Sequence, residues 1–300
     1  MSAASQKVLS ERDQSPNSQP LVSVICATFN QQQYIHTCLD AVLAQVTDFD
    51  VEVIVHDDAS TDGTADIVRS YAEKYPDKIR AIIQPNRIYS TTKRIRLDLY
   101  QYTRGRYVAL CDGDDFWRDP YKLLKQVRLL EANPQFVLSY HNADVVDGDG
   151  NTIRQYARPQ TVNLNFDHVV LRTFSCGWIP LPAMMHRRIE LDYPPEFDLS
   201  PNSDNFLVML LGKYGGAAFQ PDIESSAVRH HRSNYFSSRS HLEKDQMHLQ
   251  THLQMVSYLL RIGEAENARF MLTNTLAGMV RSYLTTLETM KLGSQTPHRR

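Results

Sequence analysis

The stretch Tyr107-Val108-Ala109-Leu110-Cys111-Asp112-Gly113-Asp114-Asp115 joins an apolar run to three carboxylates within four positions. The apolar run predicts a buried strand, so the carboxylates lie where that strand ends. Carboxylate oxygens suit Mg²⁺ or Mn²⁺, and sites for these ions usually share the metal with substrate phosphates. Stability alone would not select the cluster, because like charges this close repel one another. A polar turn is the alternative, since Asp and Gly are common turn residues.

Strand-like and helix-like segments alternate around this stretch. Strands are predicted at residues 21–27, 51–55, 79–83, 106–111 and 136–140, and helices at 32–46, 60–75, 91–103 and 120–132. Ser60 or Thr61 is expected to cap the second of these helices. Strands that alternate with helices of this length imply an α/β fold, in which helices cover both faces of a mainly parallel sheet.

Three polar clusters follow predicted strands directly. They are Thr28-Phe29-Asn30, Asp57-Asp58 and the acidic residues 112–115. In a parallel α/β sheet, ligands bind at the carboxyl ends of the strands, near the point where the strand order reverses. The coincidence of all three clusters is stronger evidence for a binding site than any one of them.

Composition limits the class of protein. The chain has 300 residues, 32 Lys plus Arg and 34 Asp plus Glu, giving a net charge of −2, so a nucleic-acid partner is not expected. None of the four cysteines forms a C-x-x-C pair, and Cys26 and Cys111 lie in apolar runs, which indicates buried thiols in a reducing compartment. No run reaches the about 20 apolar residues of a membrane span. We therefore expect a cytoplasmic location, with the inner face of the membrane as a possible site of action.

The remaining segments are less informative. Residues 1–20 lack periodicity and are expected to form a disordered lead-in. The loop Asp147–Asn151 invites an EF-hand interpretation, which fails because Thr152 and Arg158 stand where Gly and Glu are needed, so a β-hairpin turn is predicted. After about residue 240 two amphipathic helical runs are predicted. The first has a stripe of Leu253, Met255, Val256, Leu259 and Leu260, and the second covers Ala268 to Met290.

The second predicted strand ends in His56-Asp57-Asp58-Ala59-Ser60-Thr61-Asp62-Gly63-Thr64. With the other clusters, this resembles the family-2 glycosyltransferases of the GT-A fold. The usual sequence pattern of this family is a strand ending in Thr and Asn, then Asp-Asp-x-Ser-x-Asp-Gly-Thr, and later an Asp-x-Asp motif. The match covers roughly residues 21–235, and residues 111–123 are similar to a bacterial branch with Gly-Asp-Asp-Tyr-Trp, Asp-Pro and Lys-Leu.

The resemblance implies an activity. It is an inverting, metal-dependent transfer of a sugar from a nucleotide-sugar donor, with a UDP-sugar expected, to a hydroxyl of a glycan or lipid-linked acceptor in bacterial surface polysaccharide or glycoconjugate synthesis. The implied cofactor is Mn²⁺ or Mg²⁺. A Rossmann-like GT-A sheet with a C-terminal helical extension would carry it.

The resemblance also implies roles for the acidic residues. Asp112 would lie near the ribose, Asp114 would bind the metal on the diphosphate, with Asp112 assisting, and Gly113 would belong to the donor site. Asp58 would read the nucleobase in preference to Asp57, because a carboxylate can accept the imide N–H of uracil and Asp57 could instead hold the loop.

Other positions keep two interpretations. Thr28 and Asn30 would contact the base or ribose, or cap a helix. Asp204, in Ser203-Asp204-Asn205-Phe206, would be the catalytic base, although this chain has Ser203 where most members of the family have Glu or Gly. Alternatively, Asp204 only stabilises the start of its helix, where a carboxylate is favoured by the helix dipole. Residues 228–234 resemble Tyr-Arg-x-His with Val for Tyr, so Arg229 would pair with phosphate and His231 with the metal, unless both lie in a solvated basic loop.

One segment departs from the family. Residues 86–94 lack the Gly of Asn-x-Gly-x-x-x-Ala-Arg-Asn, and Lys93 or Arg94 would supply the cation for the diphosphate. Near the acceptor, Trp178 could stack on a sugar ring or simply be buried.

Domain organisation follows from these motifs. We expect a lead-in at 1–20, a GT-A catalytic domain at 21–240 with a nucleotide-sugar half at 21–143 and an acceptor half at 144–240, C-terminal helices at 241–292 and a tail at 293–300. The late helices could pack on the catalytic domain, form a homodimer or contact a membrane peripherally. Two other classes of protein are disfavoured. A nucleotidyltransferase would normally have a Gly-rich loop after the first strand, but residues 28–33 contain no Gly. A non-catalytic GT-A-like binding protein would be expected to lack Asp114 or Asp204, but both are present.

Overall fold

The computed structural model describes residues 19–88, 98–155, 165–174, 179–231, 236 and 238–294. Within it the chain divides into two compact units. The first consists of Met1–Asn165, Ile179–Glu190 and Gly215–Arg229, and the second of Phe166–Trp178, Leu191–Tyr214 and His230–Arg300. The predicted lead-in up to residue 18, most of the predicted helix at 91–103, and Cys176 lie outside the described residues.

Ten strands are described, all in the first unit. They are β1 Val22–Thr28, β2 Val51–Asp57, β3 Ile79–Ile83, β4 Tyr107–Leu110, β5 Phe136–Tyr140, β6 Ala143–Val146, β7 Thr152–Arg154, β8 Met185–Arg187, β9 Gly216–Phe219 and β10 Ser226–Arg229. Seven form a sheet of order β3-β2-β1-β4-β8-β5-β9, and the other three a sheet of order β10-β6-β7.

The large sheet is mainly parallel. Only β8 runs against its neighbours, pairing antiparallel with both β4 and β5, whereas β1, β2, β3 and β4 pair in parallel. The predicted α/β architecture is therefore confirmed. The predicted hairpin is also confirmed: β6 and β7 are antiparallel, and Asp147 N donates to Asn151 O at 2.9 Å to close the turn.

Three α-helices are described in the first unit. They are α1 Ile35–Leu43, α2 Thr64–Lys74 and α3 Lys122–Ala132, accompanied by 3-10 turns at Leu99–Tyr102 and Leu181–Ala183. The buried residues of α1 recur at helical spacing and make one apolar face. The cap expected for α2 was wrong. The helix starts at Thr64, whose N–H donates to Asp62 Oδ1 at 2.9 Å, while Ser60 hydrogen-bonds to Asp57 instead.

Three cysteines meet in the core of this unit. Cys26 of β1, Cys38 of α1 and Cys111 after β4 are fully buried, and Cys38 Sγ lies 3.8 Å from each of the other two sulfur atoms. Burial and the hydrogen bonds among the thiols raise the pKa of Cys38 well above its usual value. The expectation of buried free thiols is confirmed for these three residues.

The second unit is helical where it is described. Its helices are α4 His168–Arg172, α5 Pro195–Asp198, α6 Ser203–Leu211, α7 His241–Arg261, α8 Ala265–Phe270 and α9 Ala277–Ser294, with a π-helical turn at Met271–Leu276 between the last two. Ser240 and Glu243 cap the start of α7 reciprocally in a capping box. Of the helices within the described ranges, none is long and apolar enough to cross a membrane.

The stripe predicted on α7 was partly wrong. Met255, Val256 and Leu259 are buried, but Leu253 and Leu260 are 52% and 54% exposed. These two leucines lie seven residues apart and therefore on one line of the helix, at the flank of the buried face. The predicted stripe was therefore too wide, because it included Leu253 and Leu260 at the edge of the buried face.

The inserted strand β8 carries a buried histidine that stays neutral. His186 is fully buried; its Nδ1 donates to Arg187 O at 2.8 Å, so its Nε2 accepts the hydroxyl hydrogen of Tyr100 at 2.5 Å. Burial lowers the pKa of His186 from 6.5 to about 4.

The lowered pKa predicts how stability responds to acid. Between pH 6.5 and about 4 the unfolded chain binds a proton at His186 that the folded chain excludes, so the free energy of unfolding falls as the pH falls through that window. The contribution of this one residue is about 3 kcal/mol. Urea unfolding at pH 7, 5 and 4 should show a shallower pH dependence for His186→Gln than for the wild type. His168→Gln, at an exposed position, is the control, and an equal slope in wild type and His186→Gln would contradict the prediction.

Candidate active site

The three polar clusters come from neighbouring strands. β1 lies between β2 and β4, with Thr28 opposite Asp57 and Ile25 opposite Leu110. The pairing continues past β4, since Cys111 N donates to Ile25 O at 3.1 Å and Gly113 N to Ala27 O at 3.0 Å. The acidic segment therefore runs along the end of β1, and all three clusters lie at one edge of the sheet.

Asp57 and Asn30 fasten the first two loops together. The two oxygens of Asp57 accept from Ser60, at 2.9 Å from its N–H and 2.5 Å from its hydroxyl, and Ser60 Oγ accepts from Asn30 N at 2.8 Å. Asn30 Oδ1 accepts from Thr61 N at 2.8 Å. Asn30 has a φ of 52°, a left-handed conformation that Asn adopts more readily than most residues. Through these contacts Asp57 and Asn30 hold the two loops together. For Asp57 this is the alternative role given above, that of holding the loop.

Asp58 has a different setting. It is 3% exposed; its Oδ1 accepts from Ile88 N at 2.8 Å, and its Oδ2 lies 3.7 Å from Arg87 Nε. The Arg87 guanidinium lies 4.0 Å from the centre of the Phe29 ring. A carboxylate beside a cation and an aromatic face can bind a planar ring that carries an N–H donor. Sequence reasoning missed Arg87 and Phe29, although Arg87 stands beside the position of the missing Gly.

The acidic segment is partly buried. Asp112 is half-buried, whereas Asp114 and Asp115 are buried. Asp115 Oδ1 accepts from Arg229 N at 2.9 Å, so Asp115 orients the end of β10.

Gly113 is required by space. A Cβ there would lie 2.6 Å from Gln31 Oε1 and 2.9 Å from both Ile35 Cδ1 and Thr28 Cβ. Within the described chain, Thr28 Oγ1 and Gln31 Oε1 are buried without a hydrogen-bond partner. Gly113 thus lets the acidic segment lie directly on β1, and Thr28 does not cap a helix.

Arg229 is built into the wall of this site. It is 4% exposed, and its guanidinium donates to Asp114 O at 2.9 Å, Asp147 O at 3.1 Å and Gly148 O at 2.7 Å. Its guanidinium carbon also lies 4.7 Å from the Tyr34 ring centre. The solvated-loop interpretation is therefore wrong for Arg229. Burial and carbonyl contacts give it a structural role, and a phosphate contact stays a prediction.

The donor set fits a metal that is shared with a substrate. Across the described residues, no group of three His, Cys, Asp or Glu side chains could by itself hold a metal ion. Mg²⁺ and Mn²⁺ need no such cage, because one or two carboxylates with substrate phosphates suffice. Asp112 and Asp114 supply two carboxylates of the right kind. His231 belongs to the second unit, and Lys93 and Arg94 lie outside the described residues.

Asp204 lies in the second unit. It is half-buried in the first turn of α6. Asn202, the residue before this helix, donates from its N–H to Thr251 Oγ1 at 3.0 Å and from Nδ2 to His248 Nδ1 at 3.0 Å. The helix that presents Asp204 is thus fixed to α7. Trp178, expected near an acceptor, lies outside the described residues.

The architecture of the large sheet is that of the GT-A fold. Residues 23–187 match the family model described as glycosyl transferase family 2. The chain belongs to glycosyl transferase family 2, as the motifs predicted.

Curated relatives match part of the chain. The chain is 42% identical over 131 residues to an uncharacterized protein of Mycobacterium tuberculosis, covering 43% of this chain and 37% of that protein. It is 32% identical over 122 residues to the UDP-Glc:alpha-D-GlcNAc-diphosphoundecaprenol beta-1,3-glucosyltransferase WfaP of Escherichia coli, covering 41% of this chain and 45% of that enzyme. The matches thus span less than half of each of these relatives.

Solved structures share the fold. The mannosyltransferase PcManGT of Pyrobaculum calidifontis, in complex with GDP-Man and Mn²⁺, superposes with a TM-score of 0.57 at 21% identity, over 95% of this chain and 79% of that one. TarS 1-349 of S. aureus with UDP-GlcNAc gives 0.55 at 19% identity, over 78% and 66%. These likenesses confirm the GT-A fold.

The wall formed by Arg229 yields a stability prediction. In Arg229→Lys the ammonium keeps the charge but cannot donate along the directions of the three carbonyl groups. We expect a loss of about 2 kcal/mol in the free energy of unfolding, measured by urea denaturation. Arg69→Lys, at a partly exposed ion pair with Asp66, should change it by less than about 0.5 kcal/mol. Equal small losses in both variants would refute the structural role of Arg229.

Proposed function

We propose that this protein is an inverting glycosyltransferase that moves a sugar from a UDP-sugar to an acceptor hydroxyl in the synthesis of a bacterial surface polysaccharide or glycoconjugate. The observation that carries the proposal is a single sheet edge. There Asp58, with its neighbours Arg87 and Phe29, and the Asp112–Asp114 segment follow the two strands that flank β1. The names of the Escherichia coli relative and of the TarS complex, both of which involve UDP-sugars, support this choice of donor.

The nucleoside of the donor would be bound by residues of the first unit. Asp58 accepts the imide N–H of uracil, and the ring stacks beside Arg87 and Phe29. The unpartnered hydroxyl of Thr28 and the carboxylate of Asp112 receive the ribose. Lys93 or Arg94, with His231, neutralises the diphosphate. Asn30 and Asp57 act through the loops that they fasten.

Asp114, with Asp112, would hold Mn²⁺ or Mg²⁺. Such an ion, when bound, offsets the negative charge on the departing nucleoside diphosphate. The Asp-x-Asp spacing and Gly113 between the two carboxylates let the segment lie flat along β1, so both carboxylates belong to the same sheet edge.

Asp204 would be the general base. Its carboxylate takes the proton of the acceptor hydroxyl as that oxygen forms a bond to the anomeric carbon and the bond to the diphosphate breaks. A single displacement of this kind inverts the anomeric configuration. The acceptor is a glycan or a lipid-linked saccharide. Action at the inner face of the membrane, peripheral membrane contact and a homodimer through the C-terminal helices remain predictions.

The donor site is tested by titrating UDP into the protein by calorimetry, with and without Mn²⁺. We expect manganese-dependent binding that weakens at least about tenfold in Asp114→Asn, because the amide oxygen is a poorer metal ligand than a carboxylate. Asp149→Asn, at an exposed hairpin position, is the control and should bind as the wild type does. Binding of GDP or dTDP in place of UDP would reject the UDP assignment, and unchanged binding by Asp114→Asn would reject its metal role.

The base is tested separately. Asp204→Asn should lower kcat by about 10³-fold, within the usual range for loss of a general base. Its affinity for UDP with Mn²⁺ should stay within about twofold of wild type, because the base acts on the acceptor. Transfer is measured by product formation from a UDP-sugar panel. A loss of donor affinity instead would remove Asp204 from the base role.

A further inference from the structure

His248 of α7 is held beside the helix that presents Asp204. Asn202 Nδ2 donates to its Nδ1 at 3.0 Å. An Nδ1 that accepts must carry no hydrogen, so the ring is the neutral tautomer with its hydrogen on Nε2. The edge of the same ring packs on Phe236, with centroids 5.6 Å apart. The orientation of His248 is therefore fixed from two sides, and Asn202 is two residues from Asp204.

Several charged or titratable groups surround this ring. The negative charges of Asp204 on α6 and of Asp245 on α7 both act on it. His252, one turn further on, donates from Nδ1 to the main-chain oxygen of His248 at 2.7 Å. Lys244 Nζ lies 5.4 Å from the ring centre of Phe236, which packs on His248. Burial lowers the pKa of His248, and the charges of Asp204 and Asp245 oppose that shift.

We infer that His248 is a positioning residue for Asp204, holding the first turn of α6 through Asn202 and setting the charge beside the base. The inference rests on the proposed function and adds a residue of the C-terminal helices to its machinery. Sequence motifs give no sign of this residue, because it lies beyond residues 21–235, the range over which the motifs resemble the family.

The charge state of His248 would affect the reaction in a defined direction. A neutral ring leaves the Asp204 carboxylate free to take a proton. An imidazolium beside it would stabilise the anion and make it a weaker proton acceptor. It would also lose the lone pair that accepts from Asn202. Acid therefore lowers kcat as His248 gains its proton, while donor binding in the first unit is unaffected.

The pairing can be tested without any activity. Histidine Cε1–H signals are titrated by NMR in the wild type and in Asp204→Asn, with His248→Gln used to assign the signal. Removing the negative charge should lower the pKa of His248 further. Asp245→Asn should lower it too, because both charges act on the ring. A His248 pKa that is the same in the wild type and in Asp204→Asn would overturn the inference whatever the enzyme does.

Kinetics then test the role. His248→Ala should lower kcat at least about tenfold with UDP affinity within about twofold of wild type, because only the base is displaced. His248→Gln keeps an acceptor for Asn202 Nδ2 and should recover kcat to within about threefold of wild type, with the acid limb of its pH profile moved to lower pH. His252→Ala, buried one turn away, is the control and should lower stability without this loss of kcat.

The outcomes separate the two proposals. Equal losses of kcat in His248→Ala, His248→Gln and His252→Ala, together with lower thermal stability, would show a merely structural residue and overturn the inference. If the NMR coupling is present but the wild type transfers no sugar from any donor, the proposed function fails, and the role of His248 with it. The positioning role of His248 would be established by three results together: a His248 pKa that falls in Asp204→Asn, recovery of kcat in His248→Gln, and an unchanged affinity for UDP.

Discussion

The parallel pairing of β1 with β2 on one side and β4 on the other is the constraint on which the site depends. Because side-by-side parallel strands end at the same edge, the residues that follow them are brought together without any long loop. Every further feature refines that edge: Asp57, Ser60 and Asn30 fasten two of the loops, and Gly113 lets the third lie against β1. The apolar core beneath includes three fully buried thiols.

Local sequence was sufficient for β1 to β5 of this sheet and for the position of the acidic residues. The sequences of β1, β2 and β4 are apolar enough to be recognised as buried strands without other information. Because the polar residues directly follow these strands, they must lie at the carboxyl edge of the sheet. Local sequence was insufficient for β8, a three-residue strand whose direction depends on its two neighbours. The cap of α2 was also missed, because Ser60, Thr61 and Asp62 are all good capping residues and only the contact between Asp57 and Ser60 decides among them.

Within the site, the sequence predicted which polar residues lie at the sheet edge but not which contacts support them. Arg229 was identified as a cation for phosphate, yet three main-chain carbonyl groups and two aromatic rings enclose it. Each of these partners is more than 80 residues from Arg229 along the chain, so no local sequence pattern could have revealed them. Arg87 and His248 were missed for the same reason, since each gains its meaning from a neighbour in space: Phe29 for the first and Asn202 for the second.

The insertion of β8 between β4 and β5 has a consequence for synthesis on the ribosome. Tyr107 of β4 pairs with Arg187 of β8, 80 residues later, so one edge of β4 has no partner strand while the intervening chain is being made. Such non-local pairing closes slowly and leaves a strand edge open to other chains. A nascent chain that has emerged only to β5 therefore exposes an incomplete sheet, and protection by a chaperone would matter most before residue 187 emerges. The segment that matches the family ends at that same residue.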